Sequence, residues 1–128
     1  MGFFKPEEFG CKCGCGLNNP DPKLLSGLNI AREDYGNPIT IESACRCVKH
    51  NKTVGGVTDS AHTPQSDGFC KATDLRVTNG QMRFNLLRSV LKAGFTRIGI
   101  GKNFIHVDVD MDKPQFVTWL YGPGGASG

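Results

Sequence analysis

Leu24, Leu25, Leu28 and Ala31 recur at the interval of one helical face, and this spacing predicts an amphipathic helix over residues 22–34. Asp21 stands where an N-cap belongs and Pro22 at the first helical position, while Gly36 and Pro38 stop the pattern. Residues 39–45 alternate and are β-branched at their start, which predicts a strand. Residues 72–78 read as a second short strand. Beyond them Asn79 caps a helix over 80–93 whose buried side would carry Met82, Leu86, Leu87, Val90 and Leu91, with Gly94 at its end. Two further strands, 95–100 and 104–110, flank a tight turn at Gly101, Lys102 and Asn103. Pro114 is placed to start a last short helix bearing Phe116, Val117, Trp119 and Leu120.

Two stretches lack any period. Residues 3–20 are rich in glycine and cysteine and read mostly as loop. Residues 46–73 are rich in Gly, Ser, Thr and Asp, and a loop of that length inside a compact domain is usually functional. Together these elements predict an α+β fold: a small antiparallel sheet flanked by helices, in a single domain over residues 1–121, followed by a flexible tail over 122–128.

Composition narrows the function. With 38% hydrophobic and 21% charged residues, the 128-residue chain suits one folded domain rather than a disordered segment. A net charge of +3, dispersed along the chain, is too weak for a nucleic-acid interface and no more than a mild bias toward anionic surroundings. No apolar run approaches the roughly 20 residues of a membrane span. The start lacks the basic head and apolar run of a secretory signal, so the expectation is synthesis in a cytoplasm and delivery by other means to any substrate outside it. Six cysteines are many for such a chain; Cys11, Cys13, Cys15, Cys45 and Cys47 fall in two clusters and Cys70 stands apart. Reduced thiols, a structural metal and a disulfide joining the clusters all remain open. The spacing is not the C-x2-C of common zinc sites.

The chain has three histidines. His50 lies in a polar, lysine-flanked stretch and reads as a solvated side chain. His106 is different, because strand alternation puts Phe104, His106, Asp108 and Asp110 on one face and Ile105, Val107 and Val109 on the other. An imidazole and two carboxylates on one face must meet solvent, each other or a cation. His62, after a polar loop, and Asp74, entering an apolar strand, supply possible partners. Two histidines and a carboxylate leave a fourth tetrahedral position for water, whose pKa zinc lowers to roughly 7 while it polarises a scissile carbonyl.

At this point the chain resembles the D-Ala-D-Ala carboxypeptidase and murein endopeptidase family of zinc peptidases, whose fold the hedgehog signalling domain shares. The resemblance runs from residue 3 to about residue 121 and rests on short stretches in the right order: Phe9, Cys11 and Cys13 before Gly14; residues 41–46; Asn51 and Val54 before Gly55 and Gly56; Ser60 and His62; Ala72 and Asp74; Ala93, Gly94 and Phe95; and Ile105, His106 and Asp108. It implies one catalytic Zn2+ on His62, Asp74 and His106, a substrate carboxylate bound by Arg46, and support of the site by Ser60. A guanidinium fork suits a carboxylate.

The chain departs from the family twice. The His62-to-Asp74 separation is longer than usual, so residues between them must loop out, and Asp67 within that loop is a less favoured alternative ligand. At position 103, where relatives often carry a catalytic Glu or Asp, this chain has Asn103. Asp108, on the strand face of His106, is therefore the expected general base, with Asp110 in reserve and orientation of a ligand histidine as its rival role. The implied function is hydrolysis of peptidoglycan stem or cross-link peptide bonds by a monomer, as carboxypeptidase or endopeptidase, with a phage or prophage lytic enzyme as the fitting origin. A metal-stabilised binding or structural domain without catalysis is the alternative.

Overall fold

A computed structural model describes residues 2–122. The chain runs from a 3-10 turn at Pro6–Phe9 into α1 (Pro22–Tyr35), β1 (Ile41–Ser43), α2 (Val48–Thr53), β2 (Ala72–Arg76), α3 (Gly80–Lys92), β3 (Arg97–Ile100), β4 (Phe104–Asp108) and β5 (Val117–Leu120). The five strands form one sheet in the order β1-β2-β4-β3-β5. Every neighbouring pair is antiparallel except β3 and β5, which run parallel. The α+β class holds, with a mixed sheet in place of a wholly antiparallel one.

Local chemistry sets the helix ends. Asp21 accepts the Lys23 amide at 2.7 Å and Gly36 closes α1 in the left-handed region at φ 77°. Asn79 caps α3 by accepting the Met82 amide at 2.8 Å. Leu24, Leu28 and Ala31 of α1 and Leu86 and Val90 of α3 are buried with Leu75, Ile98, Ile105 and Val107 from the sheet, so both helices cover one face. Leu91, expected on the buried side of α3, is exposed, and Ser89 takes an inward place by donating to Asp34 at 2.7 Å.

Two elements differ from the expectation. The long loop contains α2, capped by the Cys47 sulfur, which accepts the His50 amide. The last segment is the strand β5, not a helix. Phe116 sits at φ 58°, which interrupts any helix begun at Pro114. Beyond it, the Val117 amide bonds the Thr96 carbonyl and the Tyr121 amide the Ile100 carbonyl, fixing the strand beside β3. Of the expected tail, residues 123–128 lie outside the described residues.

Candidate metal centre

One face of the sheet packs on the helices; the other carries the polar groups. Asp74 on β2 pairs with His106 on β4, and Gly99 on β3 with both His106 and Trp119. Cross-strand partners share a face, so the register alone brings Asp74, His106 and Trp119 together. His62 arrives from the loop, where its carbonyl accepts the Arg46 amide at 2.9 Å and the Ala61 carbonyl accepts the Lys71 amide at 2.8 Å. The residues between His62 and β2 do loop out. They form a turn closed by the Gln65 and Phe69 backbone, braced by an ion pair between Asp67 and Lys71 and tied by the Cys45–Cys70 disulfide to the residue before Arg46. Asp67 is thus committed to Lys71 and the Phe69 amide.

Three ligand-capable atoms converge on one point. His62 Nε2 lies 3.2 Å and His106 Nδ1 3.0 Å from Asp74 Oδ1. Ligands held about 2.0–2.1 Å from a tetrahedral zinc stand roughly 3.3 Å apart, which the two spacings from Asp74 Oδ1 match, and all three atoms lie within 4.8 Å of one another. All three residues are almost wholly buried, with His62 0%, Asp74 2% and His106 1% exposed. The outer nitrogen of each ring is also engaged: His62 Nδ1 with the Ala44 carbonyl at 2.7 Å and His106 Nε2 with Asp108 Oδ2 at 2.8 Å. That leaves His62 Nε2 and His106 Nδ1 as the inward atoms, the arrangement by which proteins aim imidazoles at a metal.

Asp108, expected as the base, spends both oxygens elsewhere. Oδ2 meets His106, and Oδ1 accepts Arg97 Nε at 2.7 Å and the Asp110 amide at 3.1 Å. Arg97 in turn donates to the Pro114 carbonyl at 2.6 Å and lies 4.9 Å from the Trp119 ring centroid. Asp110 is buried and pairs with Lys113. Asn103 lines a cleft of about 700 Å³ with Glu42, Ser43, Asp74, Arg76 and Phe104, which opens beside Asp74.

Arg46 is not a surface side chain. It is 1% exposed, Nη1 donates to Asn51 Oδ1 at 3.0 Å, and it lies in the field of Asp74. Gly56 makes room for this pair, since a Cβ there would come within 2.1 Å of Asn51 Oδ1 and 2.7 Å of Arg46 Nη1. Ser60 is fully buried and its Oγ accepts the His62 amide at 3.1 Å. Trp119 and Tyr121 wall the site beside His106, 5.4 Å and 6.3 Å from its ring between centroids. Gly99 permits this, because a Cβ would approach both aromatic rings to 2.6 Å. Sequence reasoning missed Arg97, Trp119 and Tyr121. The available signals were a cation set among apolar strand residues and the chain's lone tryptophan.

Charge alternates around the cluster. Burial opposes ionisation of Asp74 and Asp108, but the facing imidazoles outweigh it and hold both carboxyls below the usual range. Burial pushes the His62 pKa down against the pull of Asp74. For His106, burial is overcome by hydrogen bonds to Asp108 and Asp74, and the pKa is raised. A metal ion bound there would compete with a proton on His106, and the raised pKa extends the range in which that proton is present. Metal uptake below the raised His106 pKa is therefore expected to release protons, and affinity to fall as pH drops through it, since the protonated form then grows. Calorimetric titration with Zn2+ in buffers of different ionisation enthalpy checks this; a heat independent of buffer would contradict it.

An α+β sheet bearing a buried His-Asp-His set with both outer nitrogens anchored presents a candidate metal site. The sequence matches the peptidase M15 family over residues 3–108, and the chain belongs to that family of metal-dependent peptidases. Among curated proteins, no sequence matches it significantly.

Proposed function

We propose that this protein is a zinc peptidase that hydrolyses peptide bonds of bacterial peptidoglycan, with His62, Asp74 and His106 as the ligands of one catalytic ion. The observation that carries the reading is the convergence of His62 Nε2, Asp74 Oδ1 and His106 Nδ1 within a chain of the peptidase M15 family. A zinc ion there would supply Lewis acidity toward a peptide carbonyl and a water acidified toward neutrality. The protein's own groups prepare the site. Ala44 and Asp108 fix the two rings, and Ser60 holds the turn that presents His62. Trp119 and Tyr121 wall one side of the site, and the cleft beside Asp74 receives the peptide.

Asp108 acts as a positioning residue for His106 in this reading. It bonds the ring nitrogen turned away from Asp74, and Arg97 balances its charge. Arg46 braces the Asp74 side by charge; as a receptor for a substrate carboxylate it would have to open from beneath Gly56 and Asn51. Release of the enzyme onto the cell wall in a phage or prophage lytic cycle, and action as a monomer, complete the proposal.

One observation favours the non-catalytic alternative: Asn103 stands where a carboxylate base would be, and Asp108 is fully engaged. Purified sacculi incubated with the protein, with chelator and with restored Zn2+, separate the two. Mass spectrometry is expected to find new stem-peptide termini that vanish with chelator and return with zinc. Zinc-loaded protein that binds sacculi and releases nothing supports the binding domain instead. The identity of the termini distinguishes carboxypeptidase from endopeptidase action.

A further inference from the structure

The cysteines hold a second cluster, on residues that the catalytic proposal does not use. With Cys45 and Cys70 joined, the remaining thiols are Cys11, Cys13, Cys15 and Cys47, and all four meet. Their Sγ atoms lie within 4.8 Å of one another, with Cys11 to Cys13 at 3.4 Å and Cys13 to Cys47 at 3.7 Å. Four sulfurs at about 2.3 Å from a tetrahedral zinc stand roughly 3.8 Å apart. A single disulfide needs a separation of about 2.05 Å and would leave two thiols behind.

The backbone is arranged around these sulfurs. Residues 11–17 curl into a closed loop, with the Cys11 amide on the Leu17 carbonyl at 2.8 Å and the Gly14 amide on the Cys11 carbonyl at 3.2 Å. Gly14 and Gly16, at φ 81° and 92°, supply the left-handed turns that let three alternate cysteines face one another, Cys11 buried and Cys13 and Cys15 exposed, instead of lying along an extended strand. Two amides point at sulfur: Cys47 N–H at Cys11 Sγ, 3.4 Å, and His50 N–H at Cys47 Sγ, 3.3 Å. Such donors favour thiolate over thiol.

We propose that Cys11, Cys13, Cys15 and Cys47 bind one structural Zn2+ as a four-thiolate site, separate from the His62, Asp74 and His106 centre. Four protein ligands close the coordination sphere, which is the mark of a structural rather than a catalytic ion. Its mechanical role follows from the chain path. The ion cross-links the entry loop to Cys47, the residue after Arg46, while the disulfide cross-links Cys45, the residue before it, to Cys70. The clamped Arg46 amide bonds the His62 carbonyl, so the cysteine site steadies the loop that presents a catalytic ligand.

The test uses the full chain, loaded with Zn2+ and, separately, with Co2+. Elemental analysis is expected to find two zinc ions per chain in the wild type. It should find one in a His62→Ala, His106→Ala double variant, whose cobalt form keeps an intense thiolate-to-metal charge-transfer band. That variant leaves the cysteines intact, so the measurement does not depend on a cysteine variant folding. A Cys13→Ser, Cys47→Ser variant should lose the band, together with one equivalent of metal. The proposal is overturned if the histidine variant binds no metal, if its cobalt form lacks the thiolate band, if iron occupies the site after expression with both metals supplied, or if alkylation of chelator-denatured protein reveals a disulfide among these four cysteines. Failure of sacculus digestion alone would count against the catalytic reading and leave this site standing.

Discussion

Replacement of His106 by alanine is expected to reduce zinc-dependent sacculus hydrolysis by roughly 10³-fold, taking several kcal/mol of metal-derived charge stabilisation at about 1.4 kcal/mol per decade. The loss has two parts. His106 Nδ1 is one of three candidate ligand atoms at the cluster among the described residues, so metal affinity falls with it. The ring also separates two buried carboxylates, Asp74 and Asp108, which it bonds from opposite sides at 3.0 Å and 2.8 Å. Without it, both face a nearly dry interior with one fewer partner, and the metal-free variant should also unfold more easily. Hydrolysis rates at fixed zinc, with circular dichroism to confirm folding, read both effects. A folded His106→Ala protein with wild-type activity would sink the metal assignment.

Substitution of Asp108 by asparagine separates the two roles this residue could play. As a positioning residue, Asp108 holds the His106 ring from its outer nitrogen. Its loss should then weaken zinc binding by about 10- to 100-fold, with kcat recovering at saturating zinc. A general base behaves differently: kcat stays depressed however much zinc is supplied, because the proton acceptor is gone. The geometry leads us to expect the first outcome. Asp108→Ala should be harsher, since it strands the mostly buried Arg97 beside Trp119; breaking a buried pair in this way costs about 3–5 kcal/mol. Zinc titrations monitored by activity, together with denaturant unfolding of both variants, provide the measurement.

Much of this was legible in the residues themselves. The leucine spacing and capping chemistry of α1 and α3 gave their ends to within a residue or so, because those signals act within a turn or two of chain. Alternation in β4 correctly sent Ile105 and Val107 to the core and His106 and Asp108 to the other face. Where non-local pairing decides, local pattern misled. Trp119 and its neighbours carry a helix-compatible spacing, yet β3 offers an open edge with unpaired amides and carbonyls, and the segment pairs there as β5. Leu91 fits the apolar period of α3, but the packing of α1 and the sheet leaves it outside.

The sequence by itself determined the chemistry available: which residue types can hold a metal, which face of β4 carries them, and which family order they follow. These are properties of side chains and of strand and helix periods, so they survive without a fold. Only the tertiary structure decided which groups meet. The β2–β4 register sets Asp74 against His106, and the hydrogen bonds of the long loop deliver His62 to them. Arg97 bonds one oxygen of Asp108 while His106 bonds the other, and a curled entry loop gathers Cys47 with three distant cysteines. Distances among residues far apart in the chain depend on packing and register, and no local propensity encodes either.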